Sequence, residues 1–326
     1  MTRPVPPGLA LTLYDGSADL RAAWLGSRAL LTEVRPPVIQ LHAYPTAALV
    51  PTIDEIRRTL PGVRLWLGLP GNSLVRDGGP KKAAGYVKLC RSWGIEAFVL
   101  NCEGPSSAGA AGWTTATTPT LTPAQLDARM RAVLAAVASE LGPMRLGFTS
   151  HDMPQWHHLP WAAALGAESP VTLHLPQQYA APARSSKEPS GPPPATGWKG
   201  ARARADKSDA EWAKLVAKGT VRADLAPGGG GFVHYGQLHD ISAAGVALLL
   251  DRTASSAGWT LNARTGQSDR TKRPSCDDQG ALAVRALHRA RAVVGSEPGS
   301  LARYQAQAGL VADGVCGPRT LQALGL

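Results

Sequence analysis

The sequence predicts an α/β protein, a (β/α)₈ TIM-like barrel followed by a small three-helix C-terminal module. Short apolar runs alternate with helical patterns across residues 1–262, and most of these runs are apolar at nearly every position. Strands buried on both faces show this continuous pattern, which is typical of parallel sheets covered by helices. A polar stretch without periodicity at residues 264–280 separates the module from the barrel.

Eight apolar runs supply the predicted strands, of which the last two are the weakest. In chain order the runs cover residues 9–14, 38–43, 63–69, 95–100, 144–149, 171–175, 220–225 and 232–235. An open doubly wound sheet is the alternative fold. It usually places a glycine-rich phosphate turn after its first strand, and Asp15-Gly16-Ser17 is not such a turn.

The clearest predicted helix covers residues 123–141. Thr122 is its expected N-cap, Pro123 takes the first helical position, and Gln125 completes a capping box. Gly142 and Pro143 end the helix. Further helices are predicted at residues 52–60, 80–93, 209–218 and 242–256, and a helix at 279–294 opens the C-terminal module.

The loops divide the chain into three parts. Residues 180–205 are rich in Pro, Ser and Gly, which indicates a long loop over a groove or a disordered segment. We place the barrel domain at residues 1–262, a linker at 263–275 and the C-terminal module at 276–326.

The chain is strongly basic, with a formal net charge of +10. A basic protein is attracted to polyanions such as nucleic acid or an anionic cell wall. The basic residues are scattered and are not interleaved with aromatic residues, which argues against nucleic acid. No run of about 18 apolar residues predicts a membrane span.

The last fifty or so residues carry residue types at a fixed spacing. Tyr304-Gln305 is followed by Gly309-Leu310, then by Asp313-Gly314 and by Gly317-Pro318-Arg319-Thr320-Leu321. An Asp-Gly pair forms turns, and a proline commonly opens a helix. This pattern resembles the common peptidoglycan-binding domain, a three-helix module. The resemblance implies that bacterial peptidoglycan is the partner and that Tyr304, Gln305, Asp313 and Thr320 belong to the wall-binding region.

Polar residues follow nearly every predicted strand, where barrel enzymes carry their catalytic groups. In strand order these candidates are Asp15, His42, Asn72, Asn101 with Glu103, Asp152, Gln178 with Tyr179, Asp224, and Tyr235 with Gln237. Glu103 follows a fully apolar strand, and apolar walls raise the pKa of a carboxyl group. Glycoside cleavage needs such a proton donor and a second carboxylate, for which Asp15 and Asp224 are the candidates.

Three of these patches resemble the family 25 lysozymes and related barrel glycosidases. Members carry an acidic residue after the first strand, Asp-x-Glu after the fourth and Gln-Tyr after the sixth, and Asp15, Glu103 and Gln178-Tyr179 match these positions. The first acid of Asp-x-Glu is Asn101 here. An amide cannot act as a base, but it can hold an acetamido group by hydrogen bonds.

We therefore expect a cell-wall hydrolase that cleaves glycan strands, as a phage endolysin or virion-associated lysin does, without a cofactor or metal. Residues 1–7 lack the apolar segment of a secretory signal, so synthesis in the bacterial cytoplasm and action at the wall are expected. Virion proteins are further candidate partners. A non-catalytic wall-binding or virion structural protein is one alternative, which Asn101 favours. A zinc amidase using His151, His157, His158 and Asp152 is the other.

The four cysteines, Cys90, Cys102, Cys276 and Cys316, have no metal-ligand spacing. Four buried thiols of a protein made in a reducing compartment are expected. A Cys276–Cys316 disulfide stays open as an alternative, because these two residues flank the C-terminal module.

Overall fold

A computed structural model of the chain describes residues 9–14, 20–102, 121–151, 154, 159–177, 197–237, 250, 259–264, 276–295 and 299–325. The predicted α/β class with a parallel sheet is confirmed. Eight strands pair in parallel in the order β1 to β8, and β8 pairs with β1, so the sheet closes into a barrel. The strands are β1 Leu9–Tyr14, β2 Val38–His42, β3 Arg64–Pro70, β4 Ala97–Asn101, β5 Arg145–His151, β6 Leu173–Gln177, β7 His234–Gln237 and β8 Trp259–Arg264.

Helices follow most strands and cover the outside of the barrel. They are α1 Leu20–Val34, α2 Val50–Thr59, α3 Gly71–Ser73, α4 Gly79–Ser92, α5 Pro123–Leu141, α6 Trp161–Leu165, α7 Gly197–Ala217, α8 Cys276–Val294, α9 Ser300–Gln307 and α10 Pro318–Ala323. The predicted capping box of α5 is present, with Thr122 and Gln125 each bonded to the other's backbone N–H. No helix among the described residues is long and apolar enough to cross a membrane.

Two of the strand predictions are wrong. The run 220–225 contains a 3₁₀ turn, Ala223–Leu225, so the run 232–235 marks the seventh strand and not the eighth. The run is apolar because Val221 and Leu225 are buried in the core, not because it is extended. The eighth strand, β8, was not predicted, because Thr260, Asn262 and Arg264 interrupt its apolar residues.

Several helical predictions also need correction. Helix α1 was not predicted, and α7 begins at Gly197, inside the stretch predicted to be a loop at 180–205. The rest of that stretch lies outside the described residues. So does most of the predicted helix 242–256, of which Leu250 is described and is helical.

The C-terminal helices share their core with the barrel. Strand β8 continues to Arg264, so the expected domain boundary at 262 lies inside a strand. Helix α8 is the next described element along the chain and packs against α1, as the eighth helix of a (β/α)₈ barrel does. Arg285 on α8 pairs with Glu33 on α1 at 2.8 Å. The buried residues Leu287, Leu301 and Leu321 belong to the same apolar cluster as the barrel helices.

The sheet separates two apolar layers. Alternate strand residues such as Ile39, Leu67 and Phe98 point outward and pack in the cluster beneath the helices. A smaller cluster fills the interior of the barrel and consists of Val38, Trp66, Ala97, Val99, Leu173, Leu175 and Val233. The interior is therefore packed rather than hollow, and a ligand can enter only at its ends.

The structure describes the side chains of three cysteines, Cys90, Cys102 and Cys316, and all three are buried. Burial raises the pKa of the Cys90 thiol to about 12, which keeps it protonated and unreactive. The side chain of Cys276 lies outside the described residues, so the Cys276–Cys316 disulfide stays a prediction.

His174 is a fully buried polar residue in the outer layer. Its Nδ1 lies 2.8 Å from the carbonyl oxygen of Leu225, and its Nε2 lies 2.8 Å from Oγ of Ser150. Its ring packs edge-on against Trp212 and Phe232. Burial lowers its pKa to about 4, so the ring is neutral at pH 7, donating from Nδ1 and accepting at Nε2. This contact directs Ser150 away from the barrel interior, so Ser150 is a structural residue.

The buried His174 predicts a loss of stability at acidic pH. Its pKa is lower in the folded state than the ordinary value of 6.5, so stability is complete above about pH 6.5 and declines as the pH falls toward 4. Over that interval the free energy of unfolding should fall by about 3 kcal/mol from this group. Urea denaturation at a series of pH values measures the decline.

The matched variants are His174→Gln and His288→Gln, the second on the exposed face of α8. His174→Gln should remove most of this decline between pH 6.5 and 4, and His288→Gln should retain it. An unchanged pH dependence in His174→Gln would contradict the assignment.

Candidate active site

The carboxyl ends of the parallel strands bring polar side chains to one end of the barrel, which we call the mouth. His42, Asn101 and His151 are the last residues of β2, β4 and β5, and all three are half-buried. Asn101 pairs in register with Thr149, and His151 with Gln177. Because the strands are all parallel, their last residues lie at the same end.

Strand β7 reaches the same end. Tyr235 pairs in register with Gln177, and Gln237 pairs with Asn262 of β8. The backbones of the predicted contacts Tyr235 and Gln237 therefore lie in the seventh strand of the closed sheet. Their side chains lie outside the description.

Gly68 creates space for two polar side chains inside the barrel. It faces inward from β3, and a Cβ built on it would lie 2.8 Å from Nε2 of Gln40 and 3.6 Å from Nδ1 of His42. A larger residue would displace the Gln40 amide. Gln40 is itself buried, with 2% of its surface exposed.

A tight turn after β3 holds Asn72 near the mouth. A Cβ at Gly71 would lie 2.6 Å from Sγ of Cys102 and 3.3 Å from the carbonyl oxygen of Asn101, so only glycine allows the turn to approach β4 this closely. The predicted contact Asn72 follows Gly71 and is half-buried.

An aromatic rim borders this turn. The hydroxyl of Tyr44 lies 3.2 Å from Oγ of Ser73, and its ring lies 6.1 Å from the ring of Tyr86 on α4. Lys82 lies 5.8 Å from the centre of the Tyr86 ring. Tyr44 is 41% exposed, so the mouth has an exposed aromatic face beside β2 and β3.

The structure does not support Asp224 as a catalytic residue. It lies in the 3₁₀ turn before β7, and its partner Arg222 also donates to the carbonyl oxygens of Ser169 and Val171, which precede β6. Asp224 is therefore at the end where strands begin, opposite the mouth. Two hydrogen bonds from Arg222 hold the pKa of Asp224 below its usual range, so it stays a carboxylate. The prediction failed because the strand on which it depended does not exist.

Other predicted site residues lie outside the described residues. They are Glu103, Asp15, Asp152, Gln178 and Tyr179, together with His157 and His158 of the zinc alternative. Within the described ranges, no group of three or more His, Cys, Asp or Glu residues is placed to hold a metal ion.

Two polar residues inside the barrel were not predicted. Gln40 and Thr149 are each 2% exposed and face inward on strands β2 and β5. Each interrupts a mostly apolar run, Gln40 together with His42 in residues 38–43 and Thr149 together with Arg145 in residues 144–149, and Thr149 was the last residue of its predicted strand. The sequence signal that could have identified these two residues was a polar side chain within a strand that is buried on both faces.

Gln305 organises the turn of the C-terminal segment. Its Oε1 accepts a hydrogen bond from the Gly314 amide at 2.8 Å, and its Nε2 donates to the carbonyl oxygen of Val315 at 2.8 Å. The same Nε2 lies 3.1 Å from both Oδ1 of Asp313 and Oγ1 of Thr320. Gln305 and Thr320 are 2% and 3% exposed. They therefore shape the turn, whereas Asp313 is exposed and Tyr304 is half-buried.

No protein-family model matches the sequence, and no curated protein matches it. Solved structures do match. A glycoside hydrolase superposes with a TM-score of 0.50 at 11% identity, over 88% of this chain and 70% of that one. A β-1,4-D-mannanase from Cryptopygus antarcticus gives 0.48 at 13% identity over 86% and 90% of the two chains. A chitinase from Chromobacterium violaceum ATCC 12472 gives 0.48 at 10% identity over 85% and 98%. The glycoside hydrolase match shows a common fold, and at this identity it shows the fold alone.

The position of Asp224 predicts that it does not contribute to catalysis. Asp224→Asn should leave the rate of any reaction catalysed at the mouth within about twofold of that of the unchanged protein, because an exposed substitution far from the mouth has little effect. A large loss of catalytic rate in a variant with an unchanged circular dichroism spectrum would show that Asp224 belongs to the active site.

The Gln305 network predicts a local loss of stability. Gln305→Ala leaves buried partners of the turn unsatisfied, which should lower the free energy of unfolding by about 2 kcal/mol. Hydrogen exchange of the Gly314 amide measures the effect directly, because that amide donates to Gln305. Gln307→Ala, at an exposed position of the same helix, is the control. Equal exchange rates in both variants would show that Gln305 does not hold the turn.

Proposed function

We propose that this protein is a glycoside hydrolase that cleaves the glycan strands of bacterial peptidoglycan, with Glu103 as the proton donor. The observation that carries the proposal is the polar mouth of the barrel, where Asn101 ends β4 and Glu103 follows it by two residues in the sequence. The fold is one that a glycoside hydrolase shares.

The chemistry requires two carboxyl groups. Glu103 would protonate the glycosidic oxygen as the bond to the sugar breaks, and a second carboxylate would act as nucleophile or activate water. With Asp224 at the opposite end of the barrel, Asp15 becomes the first choice for this role, since it directly follows β1.

Neutral polar groups at the mouth would position the sugar. His42, Asn72 and Asn101 are the candidates among the described residues. Asp152, Gln178, Tyr179, Tyr235 and Gln237 complete the proposed set of substrate contacts. Asn101 would serve by hydrogen bonding, because an amide supplies one acceptor and two donor hydrogens but no charge.

The proposal that peptidoglycan is the target is based on the C-terminal motif and on the net charge of the chain. The turn at Asp313 and Gly314 matches the motif of the peptidoglycan-binding domain, and Tyr304 and Asp313 are its more accessible members. A net charge of +10 favours association with an anionic wall. A phage endolysin or a virion-associated lysin fits this combination.

A second candidate is a non-catalytic protein that binds the wall, either alone or within a virion. It is favoured because the described inward residues nearest the mouth (Gln40, His42, Asn101, Thr149 and His151) include no carboxylate. In this case the mouth would bind glycan without cleaving it.

Zymography on purified cell walls tests the proposal. The unchanged protein should clear the walls with or without a chelator, and Glu103→Gln should lower the rate at least about a hundredfold, the usual contribution of a general acid. Both proteins should still sediment with insoluble walls, which separates binding from cleavage.

The other outcomes identify the alternatives. Clearing that persists in Glu103→Gln would contradict the role of Glu103. Clearing that is lost with the chelator would favour a zinc amidase. Sedimentation with walls but no clearing by the unchanged protein would favour the binding protein.

A further inference from the structure

The aromatic rim beside the mouth is exposed to solvent but held in one orientation. Tyr44 has 41% of its surface exposed. Ser73 donates its single hydroxyl hydrogen to the carbonyl oxygen of Pro70 at 2.9 Å, so the hydroxyl of Tyr44 is the donor in its 3.2 Å contact with Oγ of Ser73. The ring of Tyr86 lies 6.1 Å from that of Tyr44 and packs on the core. The fold therefore fixes a large aromatic surface in contact with water.

This exposed surface continues from Tyr86 along α4. Lys82 and Leu89 are four residues before and three residues after Tyr86, so the three share one stripe of the helix. Leu89 is 41% exposed. Gly85 lies between them, three residues after Lys82 and four before Leu89. We call the surface formed by Tyr44, Lys82, Gly85, Tyr86 and Leu89 the rim surface.

Gly85 is not required by the packing of the helix. A glycine inside a helix lowers stability relative to alanine. A Cβ built on Gly85 would meet no atom within 4 Å in the described part of the chain, so a larger residue would fit without a clash. What glycine does provide is an exposed stretch of helix backbone next to Tyr86, which allows a flat ligand to approach closely.

Lys82 gives the rim surface a positive charge. It is exposed, and its Nζ lies 5.8 Å from the centre of the Tyr86 ring. It takes part in no ion pair among the described residues. The loop that carries Tyr44, residues 43–49, and the turn at residues 71–73 contain no charged residue. A carboxylate over the rim surface would therefore be attracted by Lys82 without repulsion from an acid in these two segments.

These features fit a sugar ring better than a protein partner. A stable protein interface uses about 20–30 residues on each side, whereas the rim surface has five. A fixed aromatic ring offers one flat apolar face, and the ammonium group beside it offers charge and hydrogen-bond donors. The rim surface also borders the mouth, because Tyr44 is two residues after His42, the last residue of β2. A polymer bound in the mouth could therefore extend across it.

We propose that the rim surface is a second glycan-binding site, outside the mouth, which stacks one pyranose ring on Tyr44 and pairs a carboxylate of the same glycan with Lys82. This inference rests on the proposed action on peptidoglycan, whose strands carry carboxylates on their lactyl and peptide substituents. It adds a site that holds the polymer independently of Glu103. A neutral glycan would make the stacking contact alone.

The test uses the full chain carrying Glu103→Gln, so that the glycan is not cleaved. Calorimetric titrations compare a peptide-free hexasaccharide of peptidoglycan, whose lactyl groups carry carboxylates, with a neutral chitin hexasaccharide. Tyr44→Ala should weaken the binding of both by about fivefold, the usual worth of an aromatic stacking contact. Lys82→Met should weaken only the carboxylated glycan, by about threefold, and should reduce the salt dependence of its binding.

The variant Gly85→Gln separates a binding role from a structural one. Glutamine favours a helix more than glycine does, so the Tm should rise or stay unchanged. Its side chain would cover the exposed backbone beside Tyr86 and should weaken the binding of both glycans by about fivefold. Lys88→Gln is the control, because Lys88 lies on the same helix but pairs with Glu140 of α5 at 3.2 Å. It should alter neither the affinity nor its salt dependence.

Three results would overturn the proposal. They are no measurable binding of either hexasaccharide, unchanged affinity for both in Tyr44→Ala and Gly85→Gln, and an equal effect of Lys82→Met on the two glycans. Failure of hydrolysis is a separate result. Rim-dependent binding without wall clearing by the unchanged protein would contradict the proposed function but leave the rim surface as a glycan-binding site. Clearing that depends on Glu103, with no dependence of binding on the rim surface, would contradict this inference alone.

Discussion

Strand β8 pairs with β1 on one side and with β7 on the other, and this closure determines how the rest of the molecule is arranged. An open parallel sheet would expose two edges of unpaired backbone groups, whereas the closed sheet has none. Closure also gathers the carboxyl ends of all strands around one axis. The polar residues of the mouth and the aromatic rim are close together for that reason, although they are far apart in the sequence.

The first six strands could be predicted from the sequence because strands covered on both faces must be apolar at nearly every position. The same reasoning failed for Val221 and Leu225, which are buried in a turn, because burial alone does not distinguish a strand from other buried backbone. It failed again for β8, where Asn262 and Arg264 break the apolar run. A continuous apolar pattern thus identifies buried segments, and pairing with neighbouring strands determines whether such a segment is extended.

The position of the candidate site could be predicted as far as the strand topology determines it. His42, Asn72 and Asn101 lie at one end of the barrel because they end or follow parallel strands. Asp224 was predicted at the same end, but the segment expected to be its strand is a turn. The inward positions of Gln40 and Thr149 could be identified only from the structure, because in the sequence an inward-facing polar side chain looks like a minor interruption of an apolar run. His174 is equally buried, but both of its ring nitrogens have hydrogen-bond partners, so it stabilises the fold.

The packing of α8 against α1 affects where the chain can be divided into separate modules. A domain exchange would replace the C-terminal helices with another module at a chosen junction. A junction at residue 276 would remove the helix that carries Arg285 and Leu287, and with it the ion pair to Glu33 of α1 and part of the apolar cluster shared with the barrel helices. A junction after Val294 would keep the barrel whole and transfer only α9, α10 and the turn between them. The boundary suggested by the motif and the boundary set by packing are thus about one helix apart.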